Sequence, residues 1–371
     1  MSKAIICGTD MHDNSLVCRV AVEKEEPVTK RYKNTGRGRW QLFNHLKGEA
    51  KRRGCDRIVL AYEASTHGFC MYDDCRSASI ECFVLAPTKM RKSRKDRKNK
   101  DDNKDAQLIL EVLRGHVMAG NALPCIWIPD DEIRANRETV RARLDLGHKL
   151  TGAKTQVQTL LKARRMHSPR ETGKSWSKPH RRWLGTLCME DKNWPALASL
   201  LRQIETLEHE IAILDKEVEK LSEKSRYKDA ARVLAEQIKG VGLLTAMVFL
   251  TEMGDLSRFS NRQQVGAYLG LVPSSHESGE DNDRKGHITR EGSGRLRRVL
   301  CQASWSRVIH DHTESEVYKR IVRRNPKHKK IAVVASMRRL GIRMWHMALS
   351  SQQKTGVLPG HETDNIEKAV A

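Results

Sequence analysis

Twelve residues, Lys89 to Lys100, hold eight lysines and arginines and run straight into Lys100-Asp101-Asp102-Asn103-Lys104-Asp105-Ala106. From Ala106 the chain reads Ala-Gln-Leu-Ile-Leu-Glu-Val-Leu, apolar at helical spacing, which puts Asp102 and Asp105 in the first turn of a helix. Residues three apart share one helix face, so both carboxylates point the same way. Clustered carboxylates repel unless a cation lies between them, and hard divalent ions take oxygen ligands. The alternative is that the pair caps the helix and complements its dipole. Two further acids upstream favour the metal reading.

Those acids sit at strand ends. Ala4 to Gly8 is a short apolar run ending in Thr9-Asp10, and Ser15 to Val22 alternates as a second strand after a turn at Met11 to Asn14. A weaker third strand spans Pro27 to Lys33. Gly36 to Arg53 is helical in spacing, with Trp40, Phe43, Leu46 and Ala50 expected on the buried face. Arg57 to Ala61 reads as a buried strand ending in Tyr62-Glu63-Ala64-Ser65, followed by a short helix at about 68–78 and a strand at Ile80 to Leu85. This order implies an α/β sheet with a parallel core, and residues just beyond adjacent strand ends line its crevice. Asp10, Glu63, Asp102 and Asp105 then form an oxygen cage suited to two metal ions and to phosphoryl transfer.

Composition names the partner. The 371 residues carry 68 Lys and Arg against 46 Asp and Glu, a formal charge of +22 and a pI near 9.8. A chain this basic fits a nucleic acid, because cationic side chains displace counterions condensed on phosphates. Arg91, Lys92, Arg94, Lys95, Arg97 and Lys98 of the basic run would hold such a polyanion beside the carboxylates. Nine cysteines without a Cys-x-x-Cys pair argue for a reducing compartment rather than a disulfide framework. No apolar run approaches a membrane span, and the N-terminus lacks a secretory pattern, so a cytoplasmic protein with no membrane contact is expected.

The second half is helical. Glu132 to Met166 has an apolar stripe beside Arg134, Arg137, Arg141, Arg143, Lys149, Lys154 and Lys162, either a phosphate-contacting face or an ordinary solvated one. His167 to Trp183, rich in Ser, Pro and Gly, reads as a linker or a loop ordered by nucleic acid. Leu197, Leu200, Ile204, Leu207, Ile211, Leu214, Val218 and Leu221 form a heptad seam, expected to make a coiled coil within the chain or, preferably, between chains. Gly240-Val241-Gly242 joins two helical segments and exposes backbone N–H groups suited to a phosphate, or is a plain turn. Ser274, Ser275 and Ser278 lie in a polar loop, and Arg290, Arg295, Arg297 and Arg298 surround a helix start near Gly294. A serine in such a loop is either solvated or a nucleophile whose charge the arginines offset.

Gly-Thr-Asp at Asp10, Tyr-Glu-Ala-Ser at Glu63 and Lys-Asp-Asp-Asn-Lys-Asp-Ala at 100–106 together resemble the DEDD insertion-sequence transposases, the bridge-RNA-guided recombinases of the IS one-ten family. Gly-Val-Gly near 240, Phe-Ser-Asn-Arg, Ala-Tyr-Leu-Gly-Leu-Val-Pro, Ser-Gly at 278–279 and Gly-His-Ile-Thr-Arg-Glu-Gly-Ser-Gly-Arg-Leu-Arg-Arg follow in the family's order. The resemblance implies a RuvC-like RNase H fold over residues 1–125, a helical linker and coiled coil over 126–230, and a helical C-terminal transposase domain over 231–350, with a tail at 351–371. It also implies Mg²⁺ on the four acids and Ser278 as the nucleophile forming a phosphoserine linkage to DNA. Donor and target duplexes would be selected by an element-encoded guide RNA, with the protein acting as a homo-oligomer, a dimer or tetramer. Family members commonly carry Ser-Ser-Gly-Gly where this chain has Glu277-Ser278-Gly279-Glu280. Two other readings remain: a Holliday-junction nuclease using activated water, and a non-catalytic nucleic-acid-binding scaffold.

Overall fold

A computed structural model describes residues 3–90, 102–190, 194–275, 285–324, 326–327 and 329–354. The chain divides between Ile128 and Pro129 into two compact units.

The first unit is built on a five-stranded sheet. Its strands are β1 (Ala4–Met11), β2 (Ser15–Val22), β3 (Val28–Lys33), β4 (Arg57–Glu63) and β5 (Glu81–Leu85), in spatial order β3-β2-β1-β4-β5. The β1–β2 and β2–β3 pairs are antiparallel, joined by short turns, whereas β1–β4 and β4–β5 are parallel. A parallel neighbour demands a crossover, and helix α1 (Gly36–Arg53) supplies the one between β3 and β4. The first strand runs further than its apolar run suggests, so Asp10 lies inside β1 and not beyond it.

Alternation along β1 sends successive side chains to opposite faces. Ile5, Cys7 and Met11 pack with Leu42, Phe43, Leu46 and Ala50 of α1 and with Met71 and Cys75 of α2 (Cys70–Ser77). Ala4 and Ile6 pack on the other face against Ile109, Leu110 and Leu113 of α3 (Asp102–Ala119). Helix α1 is capped by Thr35, whose hydroxyl accepts from Gly38 N, and stopped by Gly54 at φ 64°. Trp40, expected in the buried stripe, is 63% exposed, and Leu42 takes its place. At 100° per residue Trp40 lies roughly 120° round the helix from the middle of the Leu42–Leu46–Ala50 stripe, outside the contact arc.

The second unit opens with α4 (Asp131–Ala163), whose N-cap Asp130 accepts from Ile133 N. Helices α5 (Lys178–Glu190), α6 (Pro195–Ser222), α7 (Lys228–Gln237) and α8 (Leu243–Met253) follow. Next come α9 (Arg262–Tyr268), a small hairpin of β6 (Pro273–Ser275) and β7 (Lys285–Ile288), and α10 (Gly294–His310), α11 (His312–Arg324) and α12 (Lys329–Lys354). The heptad seam on α6 meets α4 of the same chain. Leu197, Ile204 and Leu207 pack with Ala153, Val157 and Leu161, and the pairs Arg143–Asp215 and Lys154–Glu208 show that the two helices run antiparallel. Helix α8 is apolar nearly all round and lies at the centre of the main core, with α4, α7 and α10 packed about it.

The segment expected to be a linker is partly helical. Ser177 Oγ accepts from His180 N at the start of α5, and the His180 ring lies between Trp176 and Trp183, tilted about 60° to each. Serine, proline and glycine there serve a cap and a first turn as readily as a loop. The basic residues of α4 are likewise largely engaged inside the unit. Arg137 donates to Thr251 O and Glu252 O, Arg141 to the buried Glu252 carboxylate and Arg143 to Asp215.

Glu208 ties three helices together, accepting from Arg181 of α5 and Lys154 of α4. Arg181 holds its carboxyl at about 2, with burial working against the shift and Lys154 adding to it. A depressed carboxylate stabilises the fold above its ordinary pKa, here 4.5, and loses that contribution as pH falls toward 2. Thermal unfolding of Glu208→Gln should therefore show a weaker fall in midpoint than the parent between pH 4.5 and the lowest pH at which the parent folds. Equal slopes would show that the ion pair contributes nothing.

Candidate metal centre

Gly8 sets the position of α3. A Cβ at Gly8 would lie 2.5 Å from Ala106 O and 2.8 Å from Leu110 Cα, and would also strike Leu110 N. The helix backbone thus rests directly on β1, and its first turn, one turn before Ala106, stands over the residues that follow Gly8. Asp10 projects from the same face of β1 as Gly8. Asp102 reaches it from above, and His12 comes from just beyond the strand. His12 Nε2 is 3.1 Å from Asp10 Oδ2 and 3.3 Å from Asp102 Oδ1. One ligand atom from each of Asp10, His12 and Asp102 lies within 4.8 Å of the other two.

Glu63 closes β4, and the parallel register pairs Thr9 with Tyr62, so Glu63 stands beside Asp10 at adjacent strand ends. Val59, Ala61 and Glu63 alternate onto the α3 side of the sheet, where Val59 and Ala61 already pack. Asp105 occupies the same first turn of α3 as Asp102. All four predicted acids share one end of one layer, although only Asp10 and Asp102 belong to the close group. His12 is the residue that the sequence reading missed. A residue two beyond an Asp in an extended strand points to the same side, and that spacing was its one sequence signal.

The loops carrying these groups are linked. Asp13 Oδ1 lies 2.8 Å from His67 Nε2, and His67 Nδ1 lies 2.9 Å from Ser65 Oγ. This chain ties the turn after β1 to the turn after β4, two residues beyond Glu63.

The remaining predicted residues lie elsewhere. Ser278 and Arg91, Lys92, Arg94, Lys95, Arg97 and Lys98 fall outside the described residues. Ser274 donates to His287 O across the small hairpin. Gly240 has φ 80° and packs on α10, where a Cβ would meet Ala303 O and Ser306 at 3.0 Å. Gly242 is the N-cap of α8 and is exposed. Arg295 makes a two-pronged pair with Asp145 and holds that carboxyl below its usual range. Arg297 donates to Leu269 O, Glu291 O and Gly292 O, while Arg298 is exposed.

Comparison with known proteins assigns the chain. A family model described as Transposase, of the DEDD IS110 type, matches residues 7–165, which include all four acids. A second, described as Transposase IS116/IS110/IS902 family, matches residues 232–319. The chain belongs to the IS110 family of DEDD transposases. Among relatives of this IS110-family chain, the y4qE protein of Sinorhizobium fredii is 31% identical over 68% of the chain, a match spanning 59% of that relative's own length. The transposase for insertion sequence element IS1533 of Leptospira borgpetersenii is 23% identical over 82% of the chain and 86% of its own length. The transposase for insertion sequence element IS1111A of Coxiella burnetii is 34% identical over 29% of the chain and 28% of its own. No helix among the described residues is long and apolar enough to cross a membrane.

The donor set suits a divalent cation. His12 Nε2 is buried and has no hydrogen-bond partner among the described residues, only its contacts to the two carboxylates. Carboxylate oxygens suit Mg²⁺ and Mn²⁺, and an imidazole nitrogen favours the transition metal over Mg²⁺. By calorimetric titration without DNA, His12→Ala is expected to weaken Mn²⁺ binding by about tenfold and Mg²⁺ binding less. Unchanged relative affinities would exclude His12 from the site. Gly8→Ala, which forces α3 off β1, should weaken both ions by at least about tenfold, and wild-type affinity would contradict the seating of α3.

Proposed function

We propose that this protein is a DNA recombinase that cuts and rejoins the strands of an insertion element. The observation that carries this reading is the meeting of Asp10, His12 and Asp102 within 4.8 Å, from distant parts of an IS110-family chain. Glu63 and Asp105 complete the set at the same end of the sheet. A divalent ion there, Mg²⁺ in this reading, would offset the charge of a phosphodiester under attack. Asp10, Glu63, Asp102 and Asp105 hold that charge-neutralising position, with His12 as a further ligand.

The nucleophile of this reading is Ser278. Its Oγ–P bond forms as a P–O bond of the DNA breaks, and the serine proton passes to the departing sugar oxygen. The phosphoserine stores the bond energy for rejoining, so no external energy source is needed. The basic run at Arg91, Lys92, Arg94, Lys95, Arg97 and Lys98 screens the polyanion, assisted by Arg298 and the N–H groups behind Gly242. The remaining parts of the proposal are an RNase H-like first domain, a coiled-coil contact, and double-stranded donor and target DNA chosen through an element-encoded guide RNA. A homo-oligomer would perform the reaction in the cytoplasm. The strand order β3-β2-β1-β4-β5 with acids at adjacent parallel strand ends supports the first of these.

The test is a pair of variants assayed on element-end DNA. Asp102→Asn should lose strand cleavage by about a hundredfold or more with DNA binding retained. Ser278→Ala should abolish both cleavage and the covalent protein–DNA adduct. Cleavage that persists in Ser278→Ala would instead indicate water as the nucleophile, and full activity of both variants would leave a binding scaffold.

A further inference from the structure

Helix α1 lies on the face of the sheet opposite α3, away from the metal-binding carboxylates, and its outward side is unusual for this chain. Arg37, Trp40, Asn44, Lys47 and Lys51 recur in steps of three and four, the spacing of a single helical stripe, and all five are exposed. The basic residues of the same helix outside the stripe are neutralised. Arg39 pairs with Asp74, Arg52 with Glu49, and Arg53 with Glu49 and Glu25. Arg37, Lys47 and Lys51 make no ion pair among the described residues. The helix contains one acid, Glu49, which the two arginines already occupy. On edge strand β3, Lys30 lies on the α1 side of the sheet, opposite Cys18, exposed and free of a carboxylate partner among the described residues, and Gly38 brings the start of α1 against the Lys33 backbone O.

Trp40 stands in the middle of this positive band. It is 63% exposed and makes no ring, cation–π or hydrogen-bond contact among the described residues. Single apolar side chains on a surface are ordinary. An indole centred between unneutralised cations is a different combination, because the cations hold a phosphate backbone and the indole supplies a flat face for a base. A paired base presents no open face, so the combination fits unpaired nucleotides better than duplex. A protein interface would surround the indole with an apolar core, and the stripe offers no second apolar side chain beside Arg37, Asn44, Lys47 and Lys51.

We infer that the outward face of α1 docks a single-stranded stretch of nucleic acid, with a base stacked on Trp40 and flanking phosphates on Arg37, Lys47 and Lys51. The site is separate from the strand-cutting reading and requires no metal.

The experiment is fluorescence anisotropy of labelled single-stranded DNA, single-stranded RNA and duplex DNA with the full chain in EDTA, in the Asp102→Asn background. Stacking of one base is worth about 1–3 kcal/mol, so Trp40→Ala should weaken single-strand binding by about five- to 150-fold. Duplex binding should change less than about twofold, and Trp40→Phe should restore most of the loss. Lys47→Ala should lower the salt dependence by about one ion, whereas Trp40→Ala leaves the slope unchanged. The strand type that loses more identifies the sugar recognised, and a loss on either supports the site. Single-strand affinity unchanged in Trp40→Ala, an equal loss on duplex, or no single-strand binding by the parent protein would overturn it. Because Trp40 is solvent-facing, all variants should keep the parent's thermal midpoint, and cleavage assayed in the Asp102-intact protein separates failure of this site from failure of the metal site.

Discussion

The backbone of α3 lies on β1 with nothing between them but the hydrogens of Gly8. Everything proposed for the first unit depends on that approach. Helix packing normally keeps an axis several ångströms further from a sheet, held off by side chains on both surfaces. Here a missing Cβ, together with the small Ala106 at 0% exposure, lets the first turn of α3 descend onto the end of β1. The carboxylate of Asp102 then falls within reach of a strand residue and of the imidazole just past it. Packing thus delivers the charges, and their repulsion is the cost that a bound cation relieves.

The second unit uses charge differently. The overall positive balance suggests phosphate contacts along α4, yet Arg137, Arg141 and Arg143 serve the fold. Glu252 is buried, and burial opposes its ionisation while Arg141 favours it, leaving the carboxyl below its ordinary range. Such a pair fixes how α4 meets α8 more than it adds net stability. Net charge is therefore a poor guide to where a nucleic acid lies. Unneutralised cations are the better one, and among the described residues of the first unit they concentrate on α1 and the adjoining β3.

The element sequence of the first unit was legible because β1, β4 and the α3 stripe have strong apolar patterns, whereas the spatial order β3-β2-β1-β4-β5 came only with the structure. The misplacement of Trp40 has a simple origin. Steps of three, three and four from Trp40 to Ala50 mimic a stripe whose true members begin at Leu42, and burial of the sheet face decides between them. His12 was hidden because a lone histidine after a strand carries no pattern until the helix above it is placed. The partner of the α6 seam was open for a similar reason. Heptad spacing states that a helix will face the seam, and only the opposed charges, Arg143 with Asp215 and Lys154 with Glu208, reveal that it is α4 of the same chain. The two acids that close on His12 were both legible as candidates, since their types and positions were unusual at a strand end and a helix start.

The central claim is that the end of β1 and the first turn of α3 form one cation site. The most direct measurement is anomalous diffraction from crystals of the full chain grown with Mn²⁺. The account requires a manganese peak bounded by the carboxylates of Asp10 and Asp102, with Glu63 or Asp105 drawn toward it. A strong manganese peak elsewhere, or none at saturating Mn²⁺ with those two carboxylates well ordered, would contradict it.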